Sequence, residues 1–178
     1  SSLPTALAVP LGLLIFELVG YAYHRAAHAV PLLWRLHAVH HSAPQMDWLA
    51  SFRQHPLEIV LMTLIQNLPL VLLGIPLGEH ALIVLLLAIN TVFVHANLRV
   101  GRPGGILCKL VATPAFHHRH HDAEGPARNF ASLLPVLDRL FGTHSEERAR
   151  SFGLAGGVGA RRGFVALMLT RVGDAHRP

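Results

Sequence analysis

Disulfide chemistry is closed to this chain, because Cys108 is its single cysteine and one thiol forms no intramolecular bridge. Lysine is almost as scarce, with Lys109 alone among 178 residues. The 15 basic residues are scattered rather than grouped into a stripe with interleaved aromatics, which argues against nucleic acid as a partner. Charge of either sign is sparse, at 14% of residues against 52% hydrophobic ones and a mean hydropathy of +0.43. That balance is too apolar for an ordinary soluble domain and predicts one compact membrane-embedded unit. The Gly-rich stretch 153–159 follows no strand and precedes no Gly-Lys-Ser/Thr, so it reads as a linker rather than a phosphate loop.

The long apolar runs fill the space that charge leaves empty. Residues 3–23 hold one charge, Glu17, whereas 59–78 and 81–98 hold none. A bilayer core takes about 20 helical residues, so each run predicts a membrane span, and the short Gly74 to Gly78 turn makes the second and third a helical hairpin. All 15 Lys and Arg fall within 25–53, within 99–150 or after 160. By the positive-inside rule those stretches are cytoplasmic, and every histidine cluster lies on that same face. The expected fold is all-α, an integral multi-pass helical bundle with a cytoplasmic histidine-rich helical cap. Residues 1–150 form the membrane-embedded domain and 151–178 a Gly/Arg-rich tail, in which 164–170, just after Arg161 and Arg162, either lie at the interface or pack against the rest. An ionisable group inside a span is costly, so Glu17 is expected to pair with Arg25 or a histidine.

The 14 histidines carry the chemistry. His24 and His28 are spaced i, i+4; His37, His40 and His41 are spaced i, i+3, i+4, and His117, His120 and His121 repeat that pattern. On a helix these spacings place the rings of each cluster on one face, while His118 points about 100° away from His117. Many imidazoles held close repel one another if charged and lack partners if neutral. A divalent metal takes up their lone pairs and organises them together.

The ordered series HRAAH (24–28), HAVHH (37–41), SFRQHPLE (51–58), FVHANLRV (93–100) and TPAFHHRHH (113–121), followed by NF (129–130) and DRLFGTH (138–144), resembles the fatty acid hydroxylase/sterol desaturase superfamily. The resemblance implies a di-iron centre on the cytoplasmic side that performs O2-dependent hydroxylation or desaturation of a membrane lipid, sterol-like, fatty acyl or alkylglycerol. Carried over by position, the iron ligands are His24, His28, His37, His40, His41, His117, His120 and His121, with His95 as a ninth. His55, in the RxHP element, is either a ligand or a group behind the ligands, and Glu17, Asp122, Asn129 and Asp138 are candidates to orient the rings. Electrons come from an external donor, ferredoxin or cytochrome-b5-like, for which an arginine-rich face is suited; the same arginines also suit anchoring to anionic lipid.

The competing class is a non-enzymatic membrane metal-binding or metal-transport protein. Transporters place polar groups at mid-bilayer depth along a path, whereas the histidines here collect at one face. Thr63, Gln66 and Asn67, beside Pro69, either line a substrate pocket or pack between helices.

Overall fold

The computed structural model describes residues 3–100 and 105–154. Among them every regular element is helical. The α-helices are α1 (Thr5–Ala29), α2 (Pro31–His41), α3 (Pro56–Leu72), α4 (Leu77–His95), α5 (Ile106–Leu110), α6 (Pro114–His120) and α7 (Val136–Leu140), with a 3-10 turn at Trp48–Phe52 between α2 and α3. The interfacial segment expected at 164–170 and most of the expected tail lie outside the described residues.

Local chemistry sets the helix ends. α2, α3 and α6 each start on a proline in the first turn, where the missing N–H is one the helix does not need and the fixed φ suits it. His55 caps α3 by accepting from Leu57 N–H, and Thr113 caps α6 by accepting from Phe116 N–H. α1 runs through the predicted membrane boundary at Tyr23 and carries His24 and His28 on its last turns before Val30 turns extended.

The α3–α4 hairpin forms, with ends that differ from the hydropathy bounds. α3 stops at Leu72 because Gly74 adopts φ +67°. Ile75 N–H then returns to Leu70 O at 3.0 Å and Gly74 N–H to Val71 O at 3.0 Å, the paired bonds of a Schellman stop. Ile75 and Leu70 also share an apolar cluster with Ala8, Ile83 and Leu87. α4 begins at Leu77, so apolar residues assigned to the outer turn belong to its first helical turn.

α1, with 25 residues, and α4, with 19, are long and apolar enough to cross a membrane; α3, with 17, is shorter. Their outer faces are leucine-rich and bare, as at Leu64, Leu72, Leu77 and Leu85. Where they meet, small residues permit close approach. A Cβ on Gly12 would strike Ile83, and one on Gly20 would strike the Gln66 amide. Thr5 Oγ1 donates to Glu79 Oε1 at 2.6 Å, which places the start of α1 beside the α3–α4 turn and leaves the histidine-bearing ends at the opposite pole.

At that pole the chain from 112 to 145 folds over the helices. Tyr21, Val94, Phe116, Phe130 and Leu137 pack together, with Tyr21 stacked on Phe141 at 5.2 Å and its hydroxyl 2.8 Å from Thr143 Oγ1. Cys108 is buried too, its Sγ 3.0 Å from the hydroxyl of Thr113, the residue that caps α6.

Candidate metal centre

Four helices deliver nine imidazoles to one place. They fall into two groups, the first made of His24, His28, His37, His41 and His120 and the second of His40, His95, His117 and His121; within each group one nitrogen per ring lies within 4.8 Å of all the others. The i, i+3, i+4 spacing is divided between the groups. On α2, His37 and His41 turn to the first while His40 turns to the second; after α6 starts, His120 joins the first while His117 and His121 join the second. The two boxes thus interleave and bring the groups side by side, with the His41 and His121 rings stacked at 4.4 Å.

The far nitrogens show which atoms face inward. His24 Nδ1 lies 2.7 Å from Phe130 O, His120 Nδ1 2.9 Å from Arg128 O, His40 Nδ1 3.2 Å from Arg53 O and His95 Nδ1 2.7 Å from Thr91 O. A carbonyl oxygen only accepts, so each of these Nδ1 atoms carries the proton, and in a neutral ring Nε2 is then a bare lone pair. Yet Nε2 of His95 sits 3.1 Å from Nε2 of His40. Two lone pairs at that distance repel unless a positive charge lies between them. Protonation is disfavoured as a remedy, because burial, followed by the neighbouring rings, holds His40 and His120 well below the usual histidine range. His41, His117 and His121 are depressed in the same way, with burial the leading cause. Both nitrogens of buried His28, His24 Nε2 and His117 Nδ1 have no hydrogen-bond partner at all. Orphaned lone pairs of this kind are what a cation would satisfy, and either group can hold a metal ion.

A cavity of about 100 Å³ opens onto both groups; it is lined by His24 and His37 on one side, by His40, His95 and His117 on the other, and reaches between the helices to Met62 and Gln66. A larger surface hollow of about 390 Å³ bounded by Pro44, Asp47, Phe52 and Arg53 touches none of these rings. The smaller cavity is therefore the one beside the candidate chemistry.

This arrangement of histidine boxes can be set beside known proteins. The model of the fatty acid hydroxylase family matches residues 9–143. The chain belongs to the fatty acid hydroxylase family. Proteins similar to it include the ornithine lipid hydroxylase OlsE of Rhizobium tropici, 36% identical over 169 residues that make up 92% of this chain and 50% of that protein. The alkylglycerol monooxygenase of Danio rerio is 32% identical over 71% of this chain and 28% of its own length, and the fatty acid hydroxylase vlmA of a Lecanicillium species 30% identical over 77% and 42%. The chain thus spans half or less of the length of these relatives. No solved structure matches it.

In this family member the expected ligand residues all stand in the two groups. His118 does not: its ring lies apart, with Nε2 3.4 Å from His95 O. His55 stands outside both groups, at the start of α3. The residues expected to orient rings act at one remove. Asp138 accepts from the Phe130 and Ala131 amides at 2.7 and 2.9 Å and from Thr143 Oγ1 at 2.6 Å. Asn129 takes φ +57° and ties Phe116 O and Ser145 by its amide group. Together they shape the strip of backbone whose carbonyls, Arg128 O and Phe130 O, back His120 and His24. Asp122 binds the Arg150 and Ser151 amides and faces the buried Arg119 guanidinium at 3.6 Å.

Glu17 departs from expectation. Its carboxylate accepts from the Leu133 and Leu134 amides at 2.7 and 3.0 Å, while the Arg25 side chain is exposed. A loop with unpaired amides folds down onto α1, and the buried carboxylate is what receives it. Asn90 holds the same loop through Ser132 O at 2.8 Å. Among the polar residues of the apolar runs, Gln66 and Thr91 line the cavity, whereas Asn67 bonds Thr63 O and the His80 ring. Sequence reasoning missed Glu58, which is 1% exposed and holds His37 Nδ1 at 2.8 Å. Its signal was the single carboxylate two residues past His55-Pro56, at the threshold of a charge-free run.

Proposed function

We propose that this chain is an O2-dependent membrane hydroxylase or desaturase of lipid C–H bonds, in which the two histidine groups hold a pair of iron ions. The observation that carries the reading is the facing of two proton-free Nε2 atoms 3.1 Å apart, on His40 and His95, whose Nδ1 protons are committed to carbonyls, together with the partnerless buried nitrogens of His24 and His28 in the other group. Neutral imidazole suits iron, and the dominance of nitrogen donors without a thiolate fits a redox-active first-row ion. His24, His28, His37, His41 and His120 would hold one iron and His40, His95, His117 and His121 the other. When bound, the iron pair supplies the reduction of O2 to an oxidant able to take hydrogen from an unactivated C–H bond.

The chain's own residues do the rest. Nδ1 hydrogen bonds to Phe130 O, Arg128 O, Arg53 O and Thr91 O fix the tautomer and aim each Nε2 inward. The cavity between α1, α3 and α4 admits an alkyl chain to the space the two groups share, and Met62 and Val94 give it an apolar wall. Burial of the rings keeps that space off the open solvent. The relatives named for acting on ornithine lipid and alkylglycerol favour a substrate whose headgroup stays at the membrane surface. In this reading α1, α3 and α4 cross the bilayer, the histidine pole is cytoplasmic, and an external acidic donor delivers electrons there.

The test is lipid mass spectrometry on cells carrying the gene or its His120→Ala variant, grown in air and at low oxygen. A lipid gaining one oxygen or losing two hydrogens, only in air and only with the unaltered gene, is expected. Identical lipidomes in all arms contradict the reading.

A further inference from the structure

The two histidine groups are backed by different chemistry. In the second group the ring nitrogens with a partner behind them, on His40 and His95, donate to the peptide carbonyls of Arg53 and Thr91. In the first group His24 and His120 do likewise, but His37 Nδ1 meets a carboxylate, Glu58 Oε1, at 2.8 Å. Glu58 lies in the first turn of α3, aimed inward, with its side chain 1% exposed. Its other oxygen has the Tyr23 hydroxyl as its neighbour, a neutral donor turned to Glu58 in the wall of the same cavity. A buried carboxylate served by a phenol and an imidazole alone keeps much of its desolvation cost. Positive charge on the far side of His37 would offset it further.

We propose that Glu58 is a positioning residue which, through His37, makes the first histidine group the tighter of the two metal sites and the one that fills first. The inference rests on the reading that both groups take metal ions. Accepting from His37 Nδ1–H locks the ring in the tautomer with a free Nε2 and raises the basicity of that nitrogen more than a carbonyl does. The negative charge would also sit one imidazole away from a dication among buried groups, where attraction is weakly screened. No comparable anion stands behind a ring of the second group among the described contacts.

The experiment titrates the detergent-solubilised, metal-stripped full chain with Co(II), following the ligand-field absorption. Two phases are expected. His120→Ala should remove the tighter phase and His117→Ala the weaker, which assigns them. Glu58→Gln keeps the shape and an acceptor but not the charge, and should weaken the tighter phase about 10- to 100-fold while leaving the weaker within twofold. Glu58→Asp, which restores charge on a shorter arm, should recover part of the loss, and it serves as the readout if the Gln variant fails to fold. The metal-stripped Glu58→Gln protein should also unfold at no lower temperature than the parent, since a buried charge has been removed; a merely structural role predicts a drop. Equal weakening of both phases, or no change in either, overturns the proposal. A parent chain that binds only one Co(II), lost in His120→Ala and weakened in Glu58→Gln, would uphold Glu58 and instead overturn the two-ion reading.

Discussion

At the residue scale the candidate site is an exercise in keeping imidazoles neutral. Burial and neighbouring rings depress His40, His41, His117, His120 and His121 in the folded chain, whereas in the unfolded chain each titrates near the ordinary value of about 6.5. Below that value the unfolded state binds more protons than the folded one, so folding stability falls as pH falls. Thermal unfolding of the metal-stripped protein should therefore show a midpoint that declines steadily from about pH 7 to pH 5; a flat or rising midpoint would mean the rings are not held neutral. The i, i+3, i+4 spacings and the exclusion of His118 were legible from sequence, because helix geometry alone dictates which rings share a face. The split of each box between two sites was not legible, since it depends on where the neighbouring helices end. Glu58 was also hidden: a carboxylate in a first helical turn reads as an ordinary partner of the helix dipole, and only the packing of α3 on α2 brings it to His37.

At the element scale the boundaries set by proline and glycine were readable, and those set by tertiary contacts were not. His55-Pro56, Thr113-Pro114 and Gly74 mark helix ends by local chemistry. The loop from Arg128 to Leu134 has no such signature, because what it contributes is backbone: two carbonyls that back rings, and two amides that rest on Glu17, 116 and 117 residues away. Asp138 is the pin of that loop. Asp138→Ala would strand the Phe130 and Ala131 amides and leave the Thr143 hydroxyl with Tyr21 alone, at a cost on the order of 3 kcal/mol, and would loosen the carbonyls behind His24 and His120. Expected is a lower unfolding temperature together with loss of metal from the first group, read by calorimetry and by Co(II) titration. Retention of both would show that the loop holds its shape without the carboxylate.

At the scale of the whole molecule, the bare leucine faces of α1, α3 and α4 set against a compact polar pole describe a body with one wet end. By the positive-inside rule, the one-sided distribution of Lys and Arg predicts that this end faces the cytoplasm. A reporter inserted after Gly74 should behave as external and one fused after Pro178 as cytoplasmic; a Gly74 reporter protected inside would contradict the hairpin topology. Hydropathy made the hairpin legible, but it overran the helix ends, because the Schellman stop at Gly74 and the helical start at Leu77 consume residues as apolar as the spans themselves.

Whether each histidine group holds an iron ion is read from the iron-to-chain ratio of purified protein by elemental analysis. Two irons per chain are predicted for the parent and for His118→Ala, whose ring stands outside both groups, and no more than one for His120→Ala or His117→Ala. A parent ratio of one or less after iron loading, or an equal loss in the His118 and His120 variants, would contradict the account.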